Sequence, residues 1–331
     1  MTIWFWYLKG IPKAINSWVY IRIPEEYQMK CKYCQSENVT KKGFVKGTQL
    51  YKCKDCGRRF FENGKFAKMR TDKHIIVAAL NFYYDGLSLR KAERNIQQIF
   101  GETITQVTIL NWIKKYSALV KEFVTAQVPQ LSGMWHEDET MLGVEGRNIW
   151  FWEMIDEDTK FMVASHISET RTFEDTVAIF KKGFEQSKVR PRTVYVDGCN
   201  AYESAFNKVF YTMRKDTRPQ LIKKVGIRAR ETNNIVERLH GTLKDRTKCM
   251  RGLHSYESTK LLLEGWSVHY NCVRPHQTLG GKTPAQAARM QIPNTWKGLI
   301  DEATRHEAQL LAHATKANTK TSKRLIEVKA Q

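Results

Sequence analysis

The spacing of apolar residues between positions 71 and 125 predicts three helices. Apolar side chains recur every three or four residues over 71–84, 88–100 and 105–125, as they do on one face of a helix. Ser88 and Thr105 precede the second and third helices and are favourable N-cap residues. The expected inward-facing residues are Ile75, Ile76, Ala79, Leu80 and Tyr83 in the first helix, Leu89, Ala92, Ile96 and Ile99 in the second, and Val107, Leu110, Ile113 and Ala118 in the third.

From residue 131 the pattern changes to short apolar runs that alternate with helical segments. The runs rich in Trp, Phe, Val and Ile predict five strands, and the segments between and after them predict helices. The order is that of an α/β fold with a mixed sheet covered by helices. The expected strands are Met134–Leu142, Asn148–Ile155, Phe161–Ile167, Arg192–Val196 and Leu221–Val225, and the expected helices are Thr172–Gln186, Ala201–Phe210, Asn234–Lys248 and Tyr256–Tyr270.

Charge favours nucleic acid, not a membrane, as the partner. The chain carries 54 Lys and Arg against 34 Asp and Glu, a net charge of +20, although high pI can also reflect solubility alone. Segment 131–175 is the exception, with 11 acidic and 3 basic residues, and this acidity indicates bound cations. The apolar start, Met1–Leu8, is far shorter than the roughly 20 residues of a spanning helix and lacks the features of a signal peptide, so we expect a reducing cytoplasm.

Four cysteines predict a structural zinc site. Cys31 and Cys34 form one C-x-x-C pair, and Cys53 and Cys56 form a second pair after 18 intervening residues. Each pair presents two thiolates to one tetrahedral Zn²⁺, and the insert between the pairs has the composition of a hairpin. The alternative is a set of unligated thiols or a redox pair.

The second and third predicted helices match a helix-turn-helix, in which the later helix enters the major groove. Asn and Gln side chains can recognise adenine edges, and Lys can contact guanine or phosphate. Many small helical bundles share this pattern without binding DNA. The candidate groove-facing residues are Gln106, Thr108, Asn111, Lys114 and Lys115.

Three acidic residues predict a centre that binds divalent cations. Asp138 stands inside a predicted strand, Asp197 ends another, and Glu237 lies on a predicted helix. If the two strands are neighbours, both aspartates meet at one sheet edge, and a helix across that edge can supply Glu237. Three carboxylates of this kind suit two Mg²⁺ ions, which promote phosphodiester chemistry. The alternative is an ordinary pair of strand-end aspartates and a solvated helix.

Neighbouring residues extend this candidate site. His240 and Lys244 follow Glu237 on one helical face, where metal and phosphate could meet. His136 shares the face of Asp138, either beside the site or as a packed core histidine. Strand alternation places Glu137 and Glu139 on the opposite face.

Together these residues resemble the DDE transposases of bacterial and archaeal insertion sequences, in particular the insertion sequence family six type of the retroviral-integrase-like superfamily. The resemblance rests on Asp138-Glu-Thr140, Asp197 and Asn233-Asn-Ile-Val-Glu237. It extends to the runs Tyr270-Asn-Cys-Val-Arg-Pro-His-Gln-Thr-Leu-Gly280 and Lys282-Thr-Pro-Ala285, in which Arg274, His276 and Lys282 offer phosphate contacts. The matching region covers roughly 70–290.

The resemblance implies an RNase H-like catalytic domain that binds two Mg²⁺ or Mn²⁺ ions through Asp138, Asp197 and Glu237. It also implies cleavage at the ends of the element and transfer of the freed 3′-OH to target DNA. The two aspartates are separated by 58 residues, and Asp197 and Glu237 by 39, which is somewhat long for such families. Glu231 is therefore a rival third ligand, although it lacks the Asn-Asn-Ile context.

The expected organisation is a lead-in (1–30), a zinc ribbon (31–66), a helix-turn-helix domain (67–125), an RNase H-like domain (131–290) and a basic C-terminal helix or tail (291–331), whose residues 314–331 are expected to be disordered. The expected partners are double-stranded DNA, at both element ends and target, and at least one further copy of the chain during reaction. The expected location is the nucleoid. The alternatives are a non-catalytic DNA-binding regulator and another RNase H-like nuclease, such as a junction resolvase.

Overall fold

The computed structural model describes residues 29–45, 48–61, 66, 69–197, 201–223, 234–250, 253 and 255–310. The first folded unit of the chain is a small antiparallel sheet of three strands in the order β1-β2-β3. The strands are β1 (Val39–Val45), β2 (Thr48–Cys53) and β3 (Arg59–Phe61). The core of this unit contains only a few buried side chains, among them Tyr51 and Phe60, whose rings stack at 5.7 Å. The predicted hairpin between the cysteine pairs is confirmed. Most of the expected lead-in, residues 1–28, lies outside the described residues.

The three predicted helices follow as α1 (Lys73–Tyr84), α2 (Leu89–Phe100) and α3 (Gln106–Thr125). Ser88 and Thr105 cap α2 and α3 by accepting hydrogen bonds from the backbone N–H groups of Lys91 and Thr108. Gly101 ends α2 in the left-handed region, with φ of 70°.

Part of the predicted core of these helices is wrong. Ile99 and Val107 are 60% and 67% exposed, and Ala118 is also exposed. The buried side of α3 is centred on Trp112 and Tyr116, because this helix packs against α7 as well as against α1 and α2. A helix that packs against several neighbours buries a wider stripe of its surface than the stripe predicted from apolar residues spaced three or four apart.

The second sheet contains five strands in the order β6-β5-β4-β7-β8. Its members are β4 (Met134–Val144), β5 (Arg147–Asp156), β6 (Met162–Ser168), β7 (Thr193–Val196) and β8 (Gln220–Lys223). The first three are antiparallel neighbours, whereas β7 pairs in parallel with β4 and β8 in parallel with β7. In sequence order this is a 3-2-1-4-5 sheet, and the predicted RNase H-like fold is confirmed.

Helices cover both faces of this sheet. They are α4 (Phe173–Ser187), α5 (Ala201–Phe210), α6 (Asn234–Lys248), α7 (Tyr256–Val268), which continues into a π-helical turn (His269–Val273), and the short α8 (Pro284–Ala287). Tyr202 of α5 contacts Glu139 of β4, and His240 of α6 contacts Asp138 beside it. The chain therefore brings α5 and α6 to opposite faces of β4.

The helical unit and the five-stranded sheet share one continuous hydrophobic core. The ring of Tyr84 stacks on Trp296 at 5.4 Å and on His269 at 5.7 Å, and its hydroxyl is 2.7 Å from that of Ser117. At the preceding residue of α1, the Arg246 guanidinium lies 4.1 Å from the centre of the Tyr83 ring. α1 is thus anchored to both α6 and the C-terminal part of the domain.

Residues 296–310 form a helix that packs into this core through Trp296, Leu299, Ile300 and Ala303. The expectation of a basic helix or tail over 291–331 agrees with this helix but not with its charge, because 296–310 carries two basic residues against three acidic ones. The expected disordered tail, 314–331, lies outside the described residues. Within the described part of the chain, no helix has an apolar stretch long enough to cross a bilayer.

Candidate active site

An acidic row forms where β7 ends beside β4. In the parallel register, Trp135 is opposite Val194 and His136 is opposite Tyr195. The same register, continued by two residues, places Asp197 beside Asp138. On the other side of β4, Asp138 is paired with Glu153 of β5. Three acidic residues therefore follow one another across neighbouring strands, and the predicted meeting of Asp138 and Asp197 is present in the structure.

The carboxylates of Asp138, Glu139 and Asp197 form a cluster, with one oxygen of each within 4.8 Å of the others. The prediction that alternation separates Glu139 from Asp138 is wrong for the carboxylate. Pairing with β7 stops at His136, so no further strand separates the two faces of β4 at this edge. The backbone N–H of Glu139 also donates to Asp138 Oδ1 at 3.0 Å.

His240 joins the acidic row from α6. Its Nε2 lies 3.1 Å from Glu153 Oε2 and its Nδ1 lies 4.0 Å from Asp138 Oδ2. Burial lowers the pKa of His240, but the hydrogen bond and charge of Glu153 outweigh burial and the net shift is upward. Burial raises the pKa of Asp138 to about 6, although the His240 charge opposes it. The expected contact of His240 with DNA does not fit this buried position between two carboxylates.

The opposite face of β4 surrounds Glu139. The Tyr202 hydroxyl donates a hydrogen bond to the Glu139 carboxylate. The guanidinium of Arg171 forms ion pairs with Glu139 and with Asp197, the latter at 3.2 Å. Next to them, Glu137 is fully buried, and burial holds the pKa of its carboxyl well above the usual range. Cationic and hydroxyl groups thus offset the acidic cluster on this side.

Glu237, the expected third ligand, is exposed on α6 one turn before His240. Its carboxylate is not among the three that lie within 4.8 Å of one another in the described part of the chain. Lys244 is exposed farther along the same helix. The rival ligand Glu231 lies outside the described residues.

The four predicted zinc ligands converge. The sulfur atoms of Cys31, Cys34, Cys53 and Cys56 lie within 4.8 Å of one another, and the pairs Cys31–Cys56 and Cys34–Cys53 are 3.6 Å apart. A tetrahedral ion with Zn–S bonds of about 2.3 Å separates its sulfurs by about 3.8 Å, so this donor set fits zinc. Burial raises the pKa of Cys31 to about 11, so a metal that binds there displaces a proton.

The residues expected to contact DNA differ in accessibility. Asn111 and Lys114 are exposed on α3, and Gln106 and Thr108 are half-buried near its start. Lys115 is also exposed, but its Nζ lies 3.5 Å from Met69 Sδ and 5.1 Å from the Tyr116 ring centre.

The loop after α7 has two exposed cations, Arg274 and Lys282. Between them, His276 packs edge-on against Tyr270 at 4.7 Å. Burial, with the nearby charge of Arg274, lowers the pKa of His276 to about 4. A neutral, half-buried imidazole does not fit the phosphate contact expected of it.

Sequence reasoning missed Glu153, Arg171 and Tyr202. Glu153 carried a signal, because it interrupts an apolar strand as Asp138 does. Arg171 lies in a loop, and Tyr202 lies on an amphipathic helix, so neither position stands out from its local pattern.

The segment that contains the site is similar to a known domain family. Residues 132–276 match the family model of the DDE domain found in insertion-sequence transposases. An uncharacterised protein of Methanocaldococcus jannaschii is 28% identical over 190 residues, which are 57% of this chain and 80% of that protein.

Similar solved structures include an integrase catalytic core domain and an intasome. The HTLV-2 integrase catalytic core domain in complex with magnesium (trimeric form) is 13% identical, covers 49% of this chain and 97% of its own, and has a TM-score of 0.35. The simian T-cell lymphotropic virus intasome in complex with PP2A regulatory subunit B56 gamma is 15% identical, covers 64% and 73%, and has a TM-score of 0.36. The family match and the acidic cluster point the same way: residues 132–276 of this chain are similar to the DDE domain of insertion-sequence transposases.

Proposed function

We propose that this chain is the transposase of an insertion sequence. It binds the terminal inverted repeats, cleaves DNA strands at the ends and transfers the freed 3′-OH to target DNA. The observation that carries this proposal is the convergence of Asp138 and Asp197 at one edge of the sheet, inside the segment that matches the DDE domain.

The donor set fits divalent cations such as Mg²⁺ or Mn²⁺. Carboxylate oxygens are hard ligands, and those of Asp138 and Asp197 lie close enough to share one ion. We assign Glu237 as the third ligand because His240, one turn later on α6, reaches Asp138. Two ions at such a site would activate the attacking oxygen and stabilise the leaving one.

The residues around the carboxylates keep the site assembled. His240 links Asp138 to the fully buried Glu153, and Tyr202 fixes Glu139 by a hydrogen bond. These contacts limit rotation of both side chains, which holds the carboxylates ready for a cation and a DNA phosphate. Without them, side chains of like charge would move apart.

The remaining parts bind DNA. One structural Zn²⁺ held by the four cysteines organises the ribbon. Gln106, Thr108, Asn111, Lys114 and Lys115 on α3 contact the inverted repeat, and Lys244, Arg274 and Lys282 contact phosphates. The net charge of +20 supports strong attraction to DNA in the nucleoid. Reaction at two ends requires at least two copies of the chain.

The first test is a cleavage and strand-joining assay with labelled DNA from the flanks of the gene. We expect defined nicks that require Mg²⁺ or Mn²⁺. Glu237→Gln should reduce cleavage at least about 100-fold, which corresponds to about 3 kcal/mol of lost transition-state stabilisation, and should keep DNA affinity within several-fold. Glu257→Gln, an exposed change on α7, is the matched control and should cleave normally.

Three results would change the proposal. If Glu139→Gln abolishes cleavage and Glu237→Gln does not, Glu139 is the third ligand. Specific binding to the flanks with no cleavage by the unmodified chain would favour a DNA-binding regulator. Cleavage without any preference for the flanks would favour another kind of RNase H-like nuclease.

A further inference from the structure

Arg171 lies in the loop between β6 and α4 and reaches into the acidic cluster. Its guanidinium pairs with Glu139 and with Asp197 Oδ2, and it lies 5.2 Å from the centre of the Trp150 ring. One of the two carboxylates paired with Arg171 is therefore a proposed metal ligand, Asp197.

The two ends of this bridge differ in burial. The Glu139 side chain is 3% exposed and also receives a hydrogen bond from Tyr202, whereas Asp197 is 40% exposed. Glu139 and Trp150 therefore form a fixed end, and Asp197 forms an end that opens to solvent. The Arg171 side chain is itself 36% exposed, so it too is accessible to solvent.

A guanidinium and a divalent ion compete for the same carboxylate. The free energy that Arg171 gains from its contact with Asp197 is lost when an ion takes its place, so the contact lowers the affinity of the ion for that carboxylate. By the same amount, a bound ion weakens the contact of Arg171 with Asp197. A planar guanidinium that leaves a carboxylate also retains the donor fork that matches a phosphate. The same cation can thus act on two anions in turn.

We propose that Arg171 is a counter-cation of Asp197 that a divalent ion displaces, and that the displaced guanidinium, still anchored by Glu139 and Trp150, binds a phosphate of the DNA strand beside the scissile bond. This inference rests on the proposed function, because it takes Asp197 as a metal ligand. It assigns Arg171 a positioning role at the proposed site.

The first experiment measures Mn²⁺ binding to the full-length, zinc-loaded protein without DNA, by the electron paramagnetic resonance signal of free Mn²⁺. Arg171→Gln should bind Mn²⁺ about 5-fold more tightly than the unmodified chain. This factor is at the low end of the coupling seen between binding sites, because Arg171 is partly exposed and its ion pair is screened by solvent. Arg171→Lys should fall between the two, since it keeps the charge but loses the fork.

Arg147→Gln is the matched control. It removes the same charge at the far end of the β4–β5 hairpin, where Arg147 is paired with Val144, about 20 Å from Asp138 by strand length. It should leave Mn²⁺ affinity unchanged within about 2-fold. Asp197→Asn should weaken binding strongly, which identifies the measured ion as the one in this site.

The second experiment measures the affinity for flank DNA at 4 °C with and without Mn²⁺, with a gel to confirm that no product forms. Arg171→Gln should match the unmodified chain without Mn²⁺. With Mn²⁺ it should bind several-fold more weakly, with a salt slope lower by about 1 because one phosphate contact is lost.

The outcomes are separable. Equal or weaker Mn²⁺ binding by a folded Arg171→Gln overturns the displacement, and Arg171→Lys provides the same comparison if the Gln variant does not fold. Tighter Mn²⁺ binding with no Mn²⁺-dependent DNA defect overturns the phosphate contact. Failure of the unmodified chain and of every variant to bind Mn²⁺ instead contradicts the proposed metal centre, and Arg171 with it.

Discussion

The cysteine cluster and the acidic cluster both gather ligands around one point, but they do so by different means. The four cysteines lie within residues 31–56, and each C-x-x-C turn brings its own two sulfurs together. The acidic cluster joins residues from two strands separated by the whole of β5, β6 and α4. One arrangement is local, and the other depends on the complete sheet.

This difference determines what a bound ion does for the fold. The ribbon buries few side chains besides its own cysteines, so the proposed zinc ion would supply much of its folding free energy. The acidic cluster lies on a sheet with a large core that continues into α1–α3. There the carboxylates are offset by His240 and Arg171, so we expect this domain to fold without a divalent ion. Loss of ligands should therefore unfold the first site but only inactivate the second.

The largest effect is expected from Cys53→Ser. The change removes a buried thiolate ligand, and a zinc site with three sulfurs loses most of the roughly 10–16 kcal/mol that such ions contribute to small domains. Zinc content, measured by mass spectrometry, should fall from one per chain to near zero. Limited proteolysis should then cut within 29–61 and leave the 69–310 part intact.

Cys249→Ser is the control for this prediction. Cys249 lies outside the cluster, on the turn after α6, where it contacts Arg246. It should keep full zinc content and an uncut ribbon. Unchanged zinc stoichiometry in Cys53→Ser would remove the four-cysteine site, and loss of the whole fold would show that the ribbon supports the rest of the chain.

Most helices and strands could be predicted from the sequence because their local patterns determine them. Helices such as α5 and α6 begin and end where predicted, because their apolar spacing and flanking residues agree. Asp138 and Asp197 were found because a charge in or at the end of an apolar strand is costly unless it has a partner. The cysteine pairs were found because ligand spacing is a property of the local chain.

What the sequence did not predict depends on packing between distant elements. The outward position of Val107 follows from the extra contact of α3 with α7, which no local period reveals. The approach of Glu139 to Asp138 follows from the short β7, whose pairing with β4 stops at His136. Arg171 joins the cluster from a loop whose sequence has no periodicity.

The second prediction concerns pH and sharpens the contrast between the sites. Burial raises the pKa of Asp138 to about 6, so below that pH a metal ion must displace a proton from this carboxyl. Mn²⁺ affinity should be constant above about pH 7 and should fall by up to tenfold per pH unit below pH 6, since one proton is exchanged. An Asp with its ordinary pKa of about 3.9 would give constant affinity down to pH 5.

His240→Gln tests the cause of this pH dependence. The charge of His240 opposes the rise in the pKa of Asp138, so its loss should move the midpoint above pH 6. A Mn²⁺ affinity that stays constant between pH 5 and pH 8 would contradict the burial of Asp138. A midpoint that does not move in the variant would remove His240 from its place beside this carboxylate.

The smallest effect is expected from Lys114→Ala, which changes neither cluster. Lys114 is exposed on α3 and takes no part in the core, so the variant should fold normally and keep its zinc. If Lys114 contacts a phosphate, affinity for the flank DNA should fall several-fold, and the salt slope should decrease by about 1. If it contacts a guanine, the loss should be confined to the cognate sequence and correspond to about 1–3 kcal/mol.

Lys181→Ala, an exposed change on α4, removes the same charge from the catalytic domain and should have little effect on recognition of the flank. Equal affinities for Lys114→Ala and the unmodified chain at every salt concentration would exclude this part of α3 from the groove and would leave the ribbon as the main reader of the DNA ends.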